Sequence, residues 1–180
     1  MKKGILIISL LFSLRSLSQE IELIPGIHML PPKGAIKLDQ QQLKAFVHEE
    51  KYPRHLTKSK PPNIYKVDDM LVGVYDWQGN FTVSLEKSKA DWDKRYKQNS
   101  NYRSFINHIN NYDVFVETRK SGNSLITIFF AISSSHKLLL QTVIVYHETG
   151  HAKAFETLNE MLNNLRFTDN PEPKDTINLK

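Results

Sequence analysis

The chain has 180 residues, of which 24 are Lys or Arg, 19 are Asp or Glu and none is Cys. The absence of cysteine excludes disulfide bonds, a cysteine nucleophile and a lipid anchor on a lipobox cysteine. The short basic runs are interrupted by proline, which predicts a solvated loop and no nucleic-acid track. A chain of this length is expected to form one domain that its hydrophobic core holds together.

The first residues are typical of a secretory signal peptide. Two lysines precede an apolar run at residues 5–14, and Ser16 and Ser18 occupy the small-residue positions before Gln19. The run is about ten residues long, well short of the roughly 20 that span a bilayer, so no transmembrane segment is predicted. A buried N-terminal strand is the alternative. We expect residues 1–18 to be removed on export to a periplasmic or extracellular location.

The next part of the chain predicts extended segments, one helix and a hairpin. Prolines and glycines predict turns within residues 19–38, and apolar spacing predicts a short helix within residues 38–50. Three prolines in residues 51–63 predict a loop. Met70–Trp77 and Phe81–Leu85 flank Gln78-Gly79-Asn80, which predicts a β-hairpin.

Two helices and a meander are predicted to follow. Ser88 is a plausible N-cap for a helix at about residues 89–97, and apolar spacing favours a second helix at Tyr102–Ile109, closed by Asn110-Asn111. Short turns then separate three runs rich in β-branched and aromatic residues, which predicts antiparallel neighbours at Tyr112–Arg119, Leu125–Ser133 and Leu138–Tyr146.

An amphipathic helix at Ala152–Leu165 is the clearest element, with an apolar stripe of Ala154, Phe155, Leu158, Met161, Leu162 and Leu165. The globular domain is expected to span residues 19–168. The tail at 169–180 is polar and contains prolines, so it is expected to be poorly ordered.

One motif could carry chemistry. His147-Glu148-Thr149-Gly150-His151 matches H-E-x-x-H and resembles the zincin metalloproteases, which implies zinc bound by His147 and His151 with Glu148 as general base. The preceding run, Thr142–Tyr146, favours a strand, and Gly150 disfavours a helix, so a strand, a turn and a helix starting near Ala152 form the competing interpretation.

A third zinc ligand is also difficult to find. Glu156 points away from His151 on the same helix, and Glu160 lies about 13 Å further along its axis. We therefore predict no metal and no catalytic residue, with the zinc protease as the alternative. Asp68-Asp69 and the pair Asp91 and Asp93 are read as a turn and the first turn of a helix. Five scattered histidines are interpreted as surface or loop residues: His28, His48, His55, His108 and His136. Three aromatics are interpreted as core or edge residues, with an exposed strip that binds a ligand or glycan as the alternative: Trp77, Trp92 and Tyr96.

The order of elements, from His28-Met29-Leu30-Pro31-Pro32-Lys33-Gly34 to the closing helix at residues 156–167, resembles the PsbP-like fold. The resemblance spans Ile21 to Phe167. It implies an α+β fold in which helices cover a mainly antiparallel sheet on both faces. It also implies an accessory or binding module of the envelope without chemistry of its own, whose partner is an unknown envelope protein or a small ligand.

Overall fold

The computed structural model describes residues 21–53, 61–82, 84–109 and 112–168. The predicted signal peptide, the predicted tail and Asn110-Asn111 lie outside these ranges. None of the helices in the described ranges combines the length and the apolarity needed to cross a bilayer.

The described elements run in chain order as follows: β1 Ile21–Ile24, β2 Ile27–Met29, β3 Ile36–Lys37, α1 Gln40–Glu49, β4 Asn63–Val67, β5 Met70–Gln78, α2 Leu85–Tyr96, β6 Arg103–Ile109, β7 Tyr112–Ser121, β8 Ser124–Ile132, β9 Leu138–Tyr146, α3 His151–Asn164 and β10 Arg166–Phe167.

The strands form two antiparallel sheets. The large sheet has seven strands in the order β3-β4-β5-β9-β8-β7-β6, and a small one has the order β1-β2-β10. The predicted meander is confirmed by the register, in which Ser121 pairs with Ser124 and Ile132 pairs with Leu139. The short turns leave no room for a crossover, so the strands fold back on their neighbours.

Two apolar clusters lie on opposite faces of the large sheet. One contains Leu158, Met161 and Leu162 of α3, packed with alternate residues of the central strands and with the small sheet. The other contains Leu43 and Phe46 of α1, with Trp92 of α2 packed against it. Side chains of a strand alternate between faces, so one run of β-branched residues supplies both clusters. The predicted α+β architecture, with a mainly antiparallel sheet and helices on both faces, is confirmed.

The predicted hairpin after β5 is wrong. Phe81 and Thr82 belong to no strand and Leu85 begins α2, so the described part of Phe81–Leu85 contains no strand, and Tyr75–Gln78 of β5 pair with β9 instead. The hairpin instead lies on the N-terminal side of β5. Asp68-Asp69 form its turn, as expected for that pair, and Asp68 has a φ of 53°. Asp is one of the residues that tolerate this left-handed conformation.

The helix predicted at Tyr102–Ile109 is also wrong, because β6 occupies this segment and pairs along its length with β7. Ile109, the last residue of β6, pairs with Tyr112, and Asn110-Asn111, which was predicted to close the helix, lies outside the described ranges. The helix predicted at about residues 89–97 exists but begins earlier. Ser84, not Ser88, is its N-cap and accepts a hydrogen bond from the Lys87 backbone N–H at 3.1 Å.

Candidate functional site

The backbone divides the H-E-x-x-H motif among three elements. β9 ends at Tyr146, His147 has an extended backbone, residues 148–150 form a 3₁₀ turn and α3 begins at His151. The predicted sequence of strand, turn and helix is confirmed. A zincin motif needs one helix through all five positions, so the common helical face that would carry both imidazoles does not form.

His147 lies on the α1 side of the sheet. Its ring stacks on Tyr52 with centroids 4.9 Å apart, and its Nε2 is 3.3 Å from Oε2 of Glu50. Tyr52 donates its hydroxyl to the carbonyl of Asp69 at 2.5 Å. Burial raises the pKa of the Tyr52 hydroxyl, which keeps it protonated as a donor. These contacts join the end of α1 to β9 and to the turn between β4 and β5.

His151 lies on the α3 side. Its Nδ1 is 3.2 Å from the hydroxyl of Tyr146, and its ring centroid is 4.8 Å from that of Phe155. The Tyr146 hydroxyl is also 3.0 Å from Oγ1 of Thr127, which is 2.8 Å from Oγ1 of Thr118. This chain of side-chain hydrogen bonds fastens the start of α3 to β7, β8 and β9.

Glu148, the candidate general base, has a partner outside the motif. Glu148 is exposed and accepts a hydrogen bond from Lys120 at 2.7 Å, which lowers the pKa of its carboxyl. Glu156 is bonded to Lys153, and Glu160 accepts from a backbone N–H. The described ranges contain no group of three His, Cys, Asp or Glu residues suited to a metal. The residues present do not fit a zincin centre.

Asp91 and Asp93 do not lie in a first helical turn as predicted, because α2 begins earlier. Asp93 accepts hydrogen bonds from Lys89 at 2.5 Å, Ser104 at 2.5 Å and Tyr102 at 2.9 Å. The bond from Lys89, followed by that from Ser104, lowers the pKa of the Asp93 carboxyl. This carboxylate therefore fastens α2 to β6.

A buried ion pair lies under the same helix. Glu117 of β7 is fully buried and pairs with Arg119, whose guanidinium lies 5.0 Å from the ring centroid of Trp92 and 4.7 Å from that of Tyr96. Removing two charged groups from water costs free energy unless each group also makes further hydrogen bonds or packing contacts. Stacking on two rings supplies such contacts for Arg119 and holds Trp92 against the sheet, whereas Oε2 of Glu117 has no hydrogen-bond partner among the described residues.

An apolar cleft of about 380 Å³ lies on the other side of Trp92. Its walls are the first turns of α2, the ends of β8 and β9 that meet at their turn, and the segment after β5. The lining residues are Asn80, Phe81, Thr82, Leu85, Ser88, Trp92, Phe130, Ile132 and Leu139. Small-molecule sites are concave, mainly apolar and commonly of about 300–1,000 Å³, which is the range of this cleft.

Local periodicity explains how these residues converge. Leu85, Ser88 and Trp92 are spaced by three and four, so they share one face of α2. Phe130 and Ile132 are two apart on β8 and project from one face of the sheet. The ring centroids of Trp92 and Phe130 are 6.2 Å apart, which closes the inner end of the cleft.

A second, more open cavity of about 560 Å³ adjoins the cleft at Asn80, which lines both. The ridge between them is fixed by backbone hydrogen bonds, in which Gly79 and Phe81 donate to the carbonyls of Lys137 and His136 at 2.9 Å each. The second cavity is lined by Pro25, Gly26, Gln78, Gly79, Asn80, Lys137, Leu138 and Thr168. Among the described residues that line the two cavities, Lys137 alone carries a charge.

Two aromatic side chains extend the apolar surface beyond the cleft. Tyr75 and Trp77 of β5 have nearly parallel rings with centroids 5.7 Å apart, and Trp77 is 39% exposed. Trp77 pairs in register with Leu139, a lining residue. Trp77 and Trp92 stand out in the sequence as aromatics, but the cleft does not, because its lining comes from four separate segments and carries no motif.

The comparisons with known proteins concern the fold. No protein-family model and no curated protein sequence match this chain. Among solved structures, the chain is similar to LpqN of Mycobacterium tuberculosis, described as involved in cell envelope biogenesis, with 10% identity, a TM-score of 0.50, and 82% of this chain and 88% of that chain covered. A cyanobacterial PsbP, CyanoP of Synechocystis sp. PCC 6803, is matched with 8% identity, a TM-score of 0.48, and 83% and 91% covered.

The fold shared with LpqN agrees with the α+β architecture expected from the sequence, and the match to CyanoP is a likeness of fold alone. Such a likeness carries no function by itself, because function depends on the site.

Proposed function

We propose that the protein is an exported, non-catalytic binding module of the cell envelope, and that the cleft under α2 is its ligand site. The observation that supports this is the cleft, where aromatic and aliphatic side chains from four segments surround a volume suited to a small molecule. Two acidic groups close to Trp92 have structural partners: Glu117 pairs with Arg119, and Asp93 fastens α2 to β6.

The envelope location rests on the signal-like residues 1–18. A fold similar to that of LpqN is compatible with this location. Fractionation of the native host, with N-terminal sequencing of the mature protein, tests the assignment. A mature chain that begins near Gln19 outside the cytoplasm is expected, and a cytoplasmic chain that retains residues 1–18 would contradict export.

Ligand binding can be tested with Nile red, an uncharged dye whose fluorescence rises in apolar surroundings. The wild-type protein should bind the dye, because binding in the cleft removes apolar surface of the dye and of the lining side chains from water. Ser88→Phe places a ring inside the cleft and should raise the dissociation constant at least about tenfold, which corresponds to ~1.4 kcal/mol.

Ala90→Phe is the matched control, because Ala90 is an exposed residue of the same helix that does not line the cleft. It should leave the affinity for Nile red unchanged. Equal binding by the wild-type protein and both variants, at equal thermal stability, would place the dye elsewhere and reject the cleft as the site.

A further inference from the structure

We propose that the ligand of the cleft is a fatty-acid-type amphiphile, with its chain under α2 and its carboxylate at Lys137. This inference rests on the proposed function and adds the chemical class of the ligand. It follows from the way in which the apolar cleft and the second cavity meet at Asn80.

The cleft provides the surroundings of the chain. Its walls contain three aromatic and three aliphatic side chains, and its polar groups, Asn80, Thr82 and Ser88, come from α2 and the segment after β5. In the part of the chain that the structure describes, no acidic or basic side chain lines the cleft. An uncharged hydrocarbon chain can therefore enter the cleft without removing water from a charged side chain. Each buried methylene group makes the free energy of binding more favourable.

The second cavity provides the surroundings of the head group. Lys137 is exposed and follows the turn between β8 and β9, opposite Gly79 across the ridge. The described residues offer its ammonium no ion pair, whereas Lys89, Lys120 and Lys153 each pair with a carboxylate. Its flexible four-carbon stem allows the ammonium to turn towards Asn80, where the two cavities meet.

The charge of the lining selects among anionic head groups. The described residues that line the two cavities include one cation and no carboxylate, so they neutralise a monoanion and not a dianion. The Asn80 amide adds a donor of the kind that carboxylates accept from, whereas the Gln78 amide already donates to the carbonyl of Pro25 at 3.3 Å.

The test is displacement of bound Nile red by decanoate, decan-1-ol and decyltrimethylammonium, each below its micelle-forming concentration. Decanoate should bind about tenfold more tightly than decan-1-ol, the effect of one charge-assisted hydrogen bond. Lys137→Gln should remove this advantage and leave decan-1-ol unchanged. Lys137→Glu should favour decyltrimethylammonium over decanoate.

Lys94→Gln is the matched control, because Lys94 is an exposed residue of α2 that lines neither cavity. It should preserve the preference for decanoate. The assignment of the head group would be overturned if decanoate and decan-1-ol bound with equal affinity and Lys137→Gln changed neither. That result would leave the cleft as the proposed site of the chain. Failure of every decyl probe and of Nile red to bind would overturn the proposed function as well.

Discussion

The imidazoles of His147 and His151 lie on opposite faces of the seven-stranded sheet, although the residues are only four positions apart. His147 stacks on Tyr52 beside α1, whereas His151 meets Tyr146 and Phe155 beside α3. The separation follows from the strand that ends at Tyr146, because consecutive side chains of an extended chain point to opposite faces. The motif therefore joins two layers of the fold.

The first prediction concerns zinc. After incubation with zinc chloride and dialysis, the protein should retain well below one equivalent of zinc per chain, because two diverging imidazoles cannot supply the ligands of a closed or catalytic site. Elemental analysis measures this. One tightly held zinc per chain that is lost in His147→Ala, together with peptide hydrolysis that is lost in Glu148→Gln, would restore the protease interpretation.

The second prediction concerns the hydroxyl of Tyr146. Tyr146→Phe removes the group between Thr127 and His151 and should lower the free energy of unfolding by about 1 kcal/mol in urea denaturation. Tyr65→Phe is the matched control, because the Tyr65 hydroxyl is buried without a hydrogen-bond partner among the described residues. Its removal should be neutral or stabilising. Equal losses in both variants would show that the hydrogen bonds of Tyr146 are not the cause.

The third prediction concerns pH. The folded state lowers the pKa of Asp93, so the stability that this carboxylate contributes is present above its unfolded pKa of about 3.9. It is lost as the pH falls through the folded pKa. Asp93→Asn should therefore be less stable than the wild type at pH 7, and the difference should shrink on acidification. A difference that is constant from pH 7 to below pH 3 would contradict this account.

The fourth prediction concerns Arg119. Arg119→Lys keeps the charge but loses the flat guanidinium that lies over Trp92 and Tyr96, so it should be destabilising by roughly 1–3 kcal/mol and should loosen the packing of Trp92. Near-ultraviolet circular dichroism and urea denaturation measure the two effects. Arg166→Lys, at an exposed position of β10, serves as the control. Indistinguishable losses in the two variants would argue against the stacked arrangement.

The sequence predicted the elements whose pattern agrees with their tertiary surroundings. The apolar stripe of α3 and the β-branched runs of the meander each fit one periodicity, and both were predicted nearly to their ends. The strand before Asp68 was missed, because its residues Asn63–Val67 follow a proline-rich stretch that indicated a loop.

β6 shows why local spacing can mislead. Phe105, Ile106 and Ile109 fit a helical stripe, but this segment is paired with β7 residue by residue. Pairing with a neighbouring strand is a non-local contact that outweighs weak helix propensity, and spacing over seven residues cannot reveal it.

The backbone structure of the H-E-x-x-H motif could be predicted from the sequence, whereas the cleft could not. The run Thr142–Tyr146 and Gly150 already favoured a strand and a turn in place of one helix. The cleft depends on where Ser84 starts α2 and on which faces of β8 and β9 are left partly uncovered. Those features follow from the order of the strands in the sheet, which no local pattern encodes.

Chemical-shift mapping by NMR tests the central claim most directly. On titration of the ¹⁵N-labelled protein with decanoate, the account predicts that the largest backbone amide shifts occur at the residues lining the cleft, among them Leu85, Ser88, Ile132 and Leu139. The amides of His147 and His151 should be nearly unaffected. The account would be contradicted by shifts centred on residues 147–151, or by no saturable shift at the cleft.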